Sequence, residues 1–114
     1  MMRYALALDL VDDLQKIASY EQAHERIWPE VRDHLLQHGV LEMEIYRIGT
    51  RLFMVMDVDE AVYDPILVAI ASAKTPIIEK WEALMWTFQA ATPWTSAGQK
   101  WAPMTKIFSL SEQK

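Results

Sequence analysis

The segment VLEMEIYRIGTRLFMVMDV, Val40 to Val58, constrains the fold more than any other part of the chain. Its first half alternates, with Leu41, Met43 and Ile45 on one side and Glu42, Glu44 and Tyr46 on the other, the period of a strand. Its second half, Arg51 to Val58, is too apolar to leave a fully wet face. Gly49 and Thr50 between the halves make a tight turn, so the segment predicts a hairpin. Two more strands are expected, at Arg3–Leu10 (RYALALDL) and at Thr105–Leu110 (TKIFSL).

Helical spacing fills the intervals. Asp12 and Asp13 can cap a helix in which Leu14, Ile17 and Trp28 define the apolar arc, with Tyr20 and His24 toward one margin. Pro29 opens a second segment that stops at Gly39. Asp64 and Pro65 open DPILVAIASA. Pro76 opens PIIEKWEALMWTF, where Ile77, Lys80, Trp81, Leu84 and Phe88 lie near one face. From Gln89 to Met104 there is little period. The order β-α-β-β-α-β predicts an α+β, ferredoxin-like sandwich, a four-stranded antiparallel sheet with helices on one face. A length of 114 residues fits a single domain, 1–114. One sheet face would then lie bare, yet the strands are apolar on both sides. A homodimer with its two sheets facing each other resolves the conflict.

Composition narrows function. A net charge of −5 with no basic run argues against nucleic acid or an anionic membrane as partner. The absence of cysteine excludes a thiolate nucleophile, a disulfide scaffold and a Cys-based zinc site. No apolar run approaches the ~20 residues that span a bilayer. The apolar start MMRYALALDLVDD is broken by Asp9, Asp12 and Asp13, unlike a signal peptide, so a cytoplasmic location is expected. There is no P-loop, no GxGxxG and no nucleophile elbow.

The stretch SYEQAHERIWPEV, Ser19 to Val31, places Tyr20 and His24 four apart on one helix face. Two readings stand side by side. Either the pair is half-buried and satisfies its own hydrogen bonds, or His24 is an acid–base group, since histidine alone titrates near neutrality without perturbation. His34 and His38 share that spacing, but no third metal ligand is evident, so a solvated helix face is the expectation. Trp28, Trp81 and Trp86 suit a helical core. Trp94 and Trp101 lie in the long irregular segment, where they could form a lid over a ligand or seal a dimer contact. Met43, Met54, Met56 and Met85 read as core.

These strings, SYEQAHERIWPEV, LLQHGVLEMEIYR, RLFMVMDVD, EKWEALM and KIFSL, resemble the L-rhamnose mutarotase family over nearly the whole chain. The Tyr-x3-His-x3-Trp-Pro-Glu string is the most specific part. The resemblance implies a dimeric α/β barrel of facing sheets that interconverts the anomers of a deoxyhexose without metal, redox group or nucleotide. It implies that His24 is the catalytic proton donor and that Tyr20 contacts the sugar. It implies two further substrate positions. A strand-two tyrosine of the family is Met43 here, and the second residue of a Trp-Trp pair, after Trp81, is Glu82. With MEIYR, RLFM and KWEALMW, these departures are similar to a branch associated with L-fucose. The alternatives are an L-rhamnose mutarotase and, from another class, a dimeric module that binds flat apolar ligands or oxygenates aromatic compounds, because one fold carries many functions.

Overall fold

A computed structural model describes residues 1–113. Strand β1 (Met2–Leu10) leads into helix α1 (Leu14–Glu25) and helix α2 (Pro29–Gln37). The hairpin follows as β2 (Val40–Ile48) and β3 (Arg51–Val58), then helices α3 (Pro65–Lys74) and α4 (Pro76–Trp86). Two dipeptide strands, β4 (Gln89–Ala90) and β5 (Ala102–Pro103), and a 3-10 turn at Leu110–Glu112 complete the order.

Each helix begins where the sequence supplies an end group. The Asp13 carboxylate accepts from the backbone N–H of Gln15 (2.9 Å) and Lys16 (3.1 Å), and Asp64 does the same for Ile66 (2.9 Å) and Leu67 (3.4 Å). Pro29, Pro65 and Pro76 occupy first turns, where a missing N–H costs nothing. Gly39 is held at φ +90° between α2 and β2, and a Cβ there would meet the Tyr63 nitrogen at 2.9 Å. Its glycine is therefore required both by conformation and by space.

The sheet is antiparallel throughout, in the order β2-β3-β1-β4, with β5 also paired to β1. This is the ferredoxin-like order, with one difference from the expectation. The fourth strand is not Thr105–Leu110. It is β4 and β5, two pieces of one edge, with residues 91–101 leaving between them. β4 pairs with Asp9 and Leu10, and β5 pairs with Leu6 and Ala7. Pro103 has no N–H for the ladder, Met104 donates to the Ala5 carbonyl at 2.8 Å, and the chain then departs. The expected strand is consequently an exposed tail, with Ile107 at 94% of its full exposure and Phe108 and Leu110 also open to solvent.

A second difference is a bulge in β2. Val40 pairs with Val58 but Glu42 pairs with Asp57, so Leu41 is the extra residue and lies exposed, off the face it was expected to share with Met43 and Ile45. The face under the helices carries Leu6, Leu8 and Leu10 of β1, Leu52, Met54 and Met56 of β3, and Met43 and Ile45 of β2. Ile17, Tyr20, Val31, Ile78, Trp81 and Met85 close over it to form the core. The opposite face bears Ala5, Ala7, Phe53, Val55, Glu44 and Tyr46. It is bracketed by two bidentate ion pairs, Arg3–Asp57 and Arg51–Asp9, each with contacts of 2.7 and 3.1 Å.

Candidate functional site

The α1 face is rotated from its expected setting. Leu14, in the first turn, is 84% exposed, whereas Ile17 and Tyr20 are buried. Tyr20 therefore lies within the buried stripe, not at its margin, and His24 follows one turn later, half-buried. The two rings pack at a 41° tilt, 4.3 Å between centroids. The edge of Trp81 meets His24 at 5.7 Å, and Trp28 backs Trp81 at 5.1 Å. His24 is thus held by aromatic contacts from its own helix and from α4.

One backbone bond defines the chemistry available to His24. Its Nδ1 lies 2.7 Å from the Tyr20 carbonyl oxygen, which can only accept, so Nδ1 carries the hydrogen. Nε2 is left for a ligand. The pair does not satisfy itself. The Tyr20 hydroxyl makes one long contact, 3.5 Å from Nε2 of Gln89. Burial pushes the Tyr20 phenol up to about 12, so near neutral pH it is an uncharged hydroxyl and not a phenolate base.

Between the sheet and the helices is a cavity of about 250 Å³. All five residues singled out in the sequence line it: Tyr20, His24, Met43, Trp81 and Glu82. Its floor is soft and apolar, with Met54, Met56 and Ile45. Beside it lies an outer groove of about 870 Å³ along the β2 edge, lined in part by the same Tyr20, His24 and Met43. An ion pair from Arg47 of β2 to Glu21 of α1 spans that groove. The inner volume falls just below the range of about 300–1,000 Å³ typical of ligand pockets, and suits a small ligand.

Two cavity residues, Gln89 and Lys100, were not assigned by sequence reasoning. Gln89, the first residue of β4, is buried, and its carboxamide oxygen has no hydrogen-bond partner. Lys100 donates to the Glu82 carboxylate at 2.7 Å and sits 5.0 Å above the Trp86 ring. Trp101 packs against both halves of the core. The two loop tryptophans thus part company. Trp101 lines the cavity, while Trp94, 73% exposed, lies against Arg51 on the other side of the sheet. Glu44 is on that other face too, hydrogen-bonded by the Tyr46 hydroxyl at 2.9 Å, and so takes no part in the cavity.

His34 and His38 do not form a solvated face. His34 Nε2 is 2.9 Å from the Ser72 hydroxyl, which ties α2 to α3, and the two imidazoles lie 4.6 Å apart. Among the described residues no three His, Asp or Glu side chains converge as metal ligands. Among the described residues no helix is long and apolar enough to cross a membrane.

Known proteins resemble the chain along nearly its whole length. The chain is 48% identical over 114 residues to an L-fucose mutarotase from Xanthomonas campestris, an alignment covering 98% of this chain and 90% of that protein. It is 31% identical to an L-rhamnose mutarotase from Enterococcus faecalis, covering 96% and 100%. Among solved structures, an L-rhamnose mutarotase from Formosa agariphila superposes with a TM-score of 0.70 at 22% identity, covering 96% of this chain and 99% of that one. The tetracenomycin F2 cyclase of Streptomyces glaucescens, a type-II polyketide cyclase, superposes at 0.58 and 14% identity over 96% and 98%, a likeness of fold alone. The family model for L-rhamnose mutarotase matches residues 3–110, and the chain belongs to that family.

Proposed function

We propose that the protein is a mutarotase that interconverts the α and β pyranose anomers of a 6-deoxyhexose, with L-fucose preferred over L-rhamnose. The observation that carries this reading is the convergence of Tyr20, His24, Met43, Trp81 and Glu82 on one small cavity. The choice of L-fucose rests on the 48% identity to the Xanthomonas protein and on the departures at Met43 and Glu82.

Ring opening requires a proton on the ring oxygen and loss of one from the anomeric hydroxyl. In this reading, protonated His24 gives its Nε2 proton to the ring oxygen. The C1–O bond to the ring breaks as the anomeric hydroxyl releases its proton to water and becomes the aldehyde oxygen. The neutral imidazole keeps its Nδ1 hydrogen on the Tyr20 carbonyl, so the Nε2 lone pair is already oriented to take the proton back. Rotation about the C1–C2 bond exposes the other face of the aldehyde, and closure there gives the other anomer. Tyr20 offers a neutral hydroxyl to the sugar, Trp81 and Met43 form walls, and Glu82 accepts from a ring hydroxyl while Lys100 holds its carboxylate in place.

The same reading covers the rest of the molecule: one mutarotase domain over 1–114, cytoplasmic, acting as a homodimer in which two sheets close a dimeric α/β barrel. The uncovered Phe53, Val55 and Tyr46 face and the exposed tail Ile107, Phe108 and Leu110 are the apolar surfaces a second copy would cover. A stable monomer by light scattering at micromolar concentration would remove the barrel.

Saturation-transfer NMR between the anomers of a panel of aldoses tests the activity. Exchange above the uncatalysed rate, fastest for L-fucose, is expected. Thermal stabilisation by a ligand with no exchange of any aldose would favour a binding module instead.

A further inference from the structure

The strongest unexplained feature in the cavity is Gln89. Its side chain is 6% exposed, and its carboxamide oxygen is buried with no partner. A buried polar atom left unpaired is costly, and such atoms in native structures call for a reason. Nothing in the local chain supplies one. Gln89 is the first residue of β4, and its backbone is already paired with Leu10. A leucine or methionine would fill the same space without the penalty. The side chain nevertheless lies on the cavity wall, and its nitrogen is within 3.5 Å of the Tyr20 hydroxyl.

We infer that Gln89 is a specificity-determining residue, whose carboxamide oxygen accepts a hydrogen bond from one ring hydroxyl of the bound sugar. The inference rests on the mutarotase reading and extends it to a residue outside the catalytic helix. The amide also sets what Tyr20 presents. With Nε2 donating to the phenol oxygen, the Tyr20 hydrogen is free to point at the sugar as a donor. If the carboxamide is turned end for end, the phenol donates to Gln89 and the unpaired atom becomes an N–H. In either orientation one polar end of Gln89 remains for a ligand. A polar end that matches one ring position separates sugars differing only in the orientation of that hydroxyl.

The test uses the full chain and anomeric exchange by NMR, with L-fucose, L-rhamnose and the 2-, 3- and 4-deoxy analogues of L-fucose. In the parent, one deoxy analogue should lose about tenfold in kcat/KM relative to L-fucose, the scale of one buried hydrogen bond. In Gln89→Met, L-fucose itself should lose about that factor, mainly through KM, and the same deoxy analogue should lose nothing further. Gln89→Glu, which keeps acceptor oxygens at the same place, should retain the discrimination between that analogue and L-fucose. Equal losses for all analogues in Gln89→Met would mean a structural role and overturn the inference. A parent that exchanges L-fucose and all three deoxy analogues equally well would overturn it without any variant. A parent that exchanges no sugar would instead overturn the mutarotase reading on which the inference stands.

Discussion

The cavity has two walls of different construction. The near wall is α1, where Tyr20 and His24 are placed by regular helix and His24 is fixed by a 2.7 Å bond to a backbone carbonyl. The far wall is made by the end of α4, the broken edge strand and residues 91–101. There Glu82 and Lys100 are held by each other at 2.7 Å, and Lys100 rests on Trp86. A backbone anchor cannot be altered by substituting a side chain. A side-chain anchor can be altered by any of its members. The division suggests that the near wall carries a step common to all substrates, while the far wall decides which sugar is taken.

If that division is real, His24→Ala should have the largest effect. Exchange should fall roughly 10²–10⁴-fold for L-fucose and L-rhamnose alike, with the fold retained by circular dichroism. A change in the ratio of the two sugars would break the comparison, and loss of the folded state would return His24 to a core role. Glu82→Trp should act the other way. The L-fucose to L-rhamnose ratio should narrow or reverse, by severalfold to roughly a hundredfold, while exchange persists. An unchanged ratio in side-by-side measurements would mean that Glu82 does not read the sugar.

Two smaller effects sharpen the contrast. Tyr20 is raised from 10.0 to about 12 by burial, so the fold favours the neutral phenol. Its contribution to stability is fully present below pH 10 and is lost between about pH 10 and 12. The parent should therefore lose stability more steeply over that window than Tyr20→Phe, as read by chemical denaturation. Equal slopes would mean that the near wall is wetter than it looks. His34, away from the cavity, is lowered from 6.5 by desolvation and by His38. Its contribution is present above pH 6.5 and fades as the pH falls below it. His34→Gln should show a slightly shallower acid loss of Tm than the parent, the least of these effects because the imidazole is only partly buried.

The same division explains what could be read from the sequence. Helical and strand periods located α1, α4 and the hairpin, but it was the family resemblance that joined Tyr20, His24, Met43, Trp81 and Glu82 into one site. The period did not fix the rotation of α1, because Leu14 begins the helix beyond the edge of the core, where an apolar side chain has nothing to cover it. It misplaced Leu41 because one bulged residue shifts every side chain before it to the other face. It took TKIFSL for the fourth strand because that run has strand composition. The ladder positions were instead filled by Gln89–Ala90 and Ala102–Pro103, dipeptides too short to carry a pattern. Gln89 and Lys100 left no trace for a similar reason: their positions follow from where the chain leaves and rejoins β1, not from any repeat.

That departure and return has an evolutionary reading. Residues 91–101 are tethered at both ends to the same strand, β1, so the sheet is complete whatever lies between. The entropy of such a loop grows slowly, by only about 0.6 kcal/mol for each doubling of its length. Changes of length between these tethers therefore cost the scaffold little, whereas a change at Trp101 reaches both the core and the cavity. On the proposed mechanism, rewriting the cavity-lining part of this segment would retarget the sugar without touching α1.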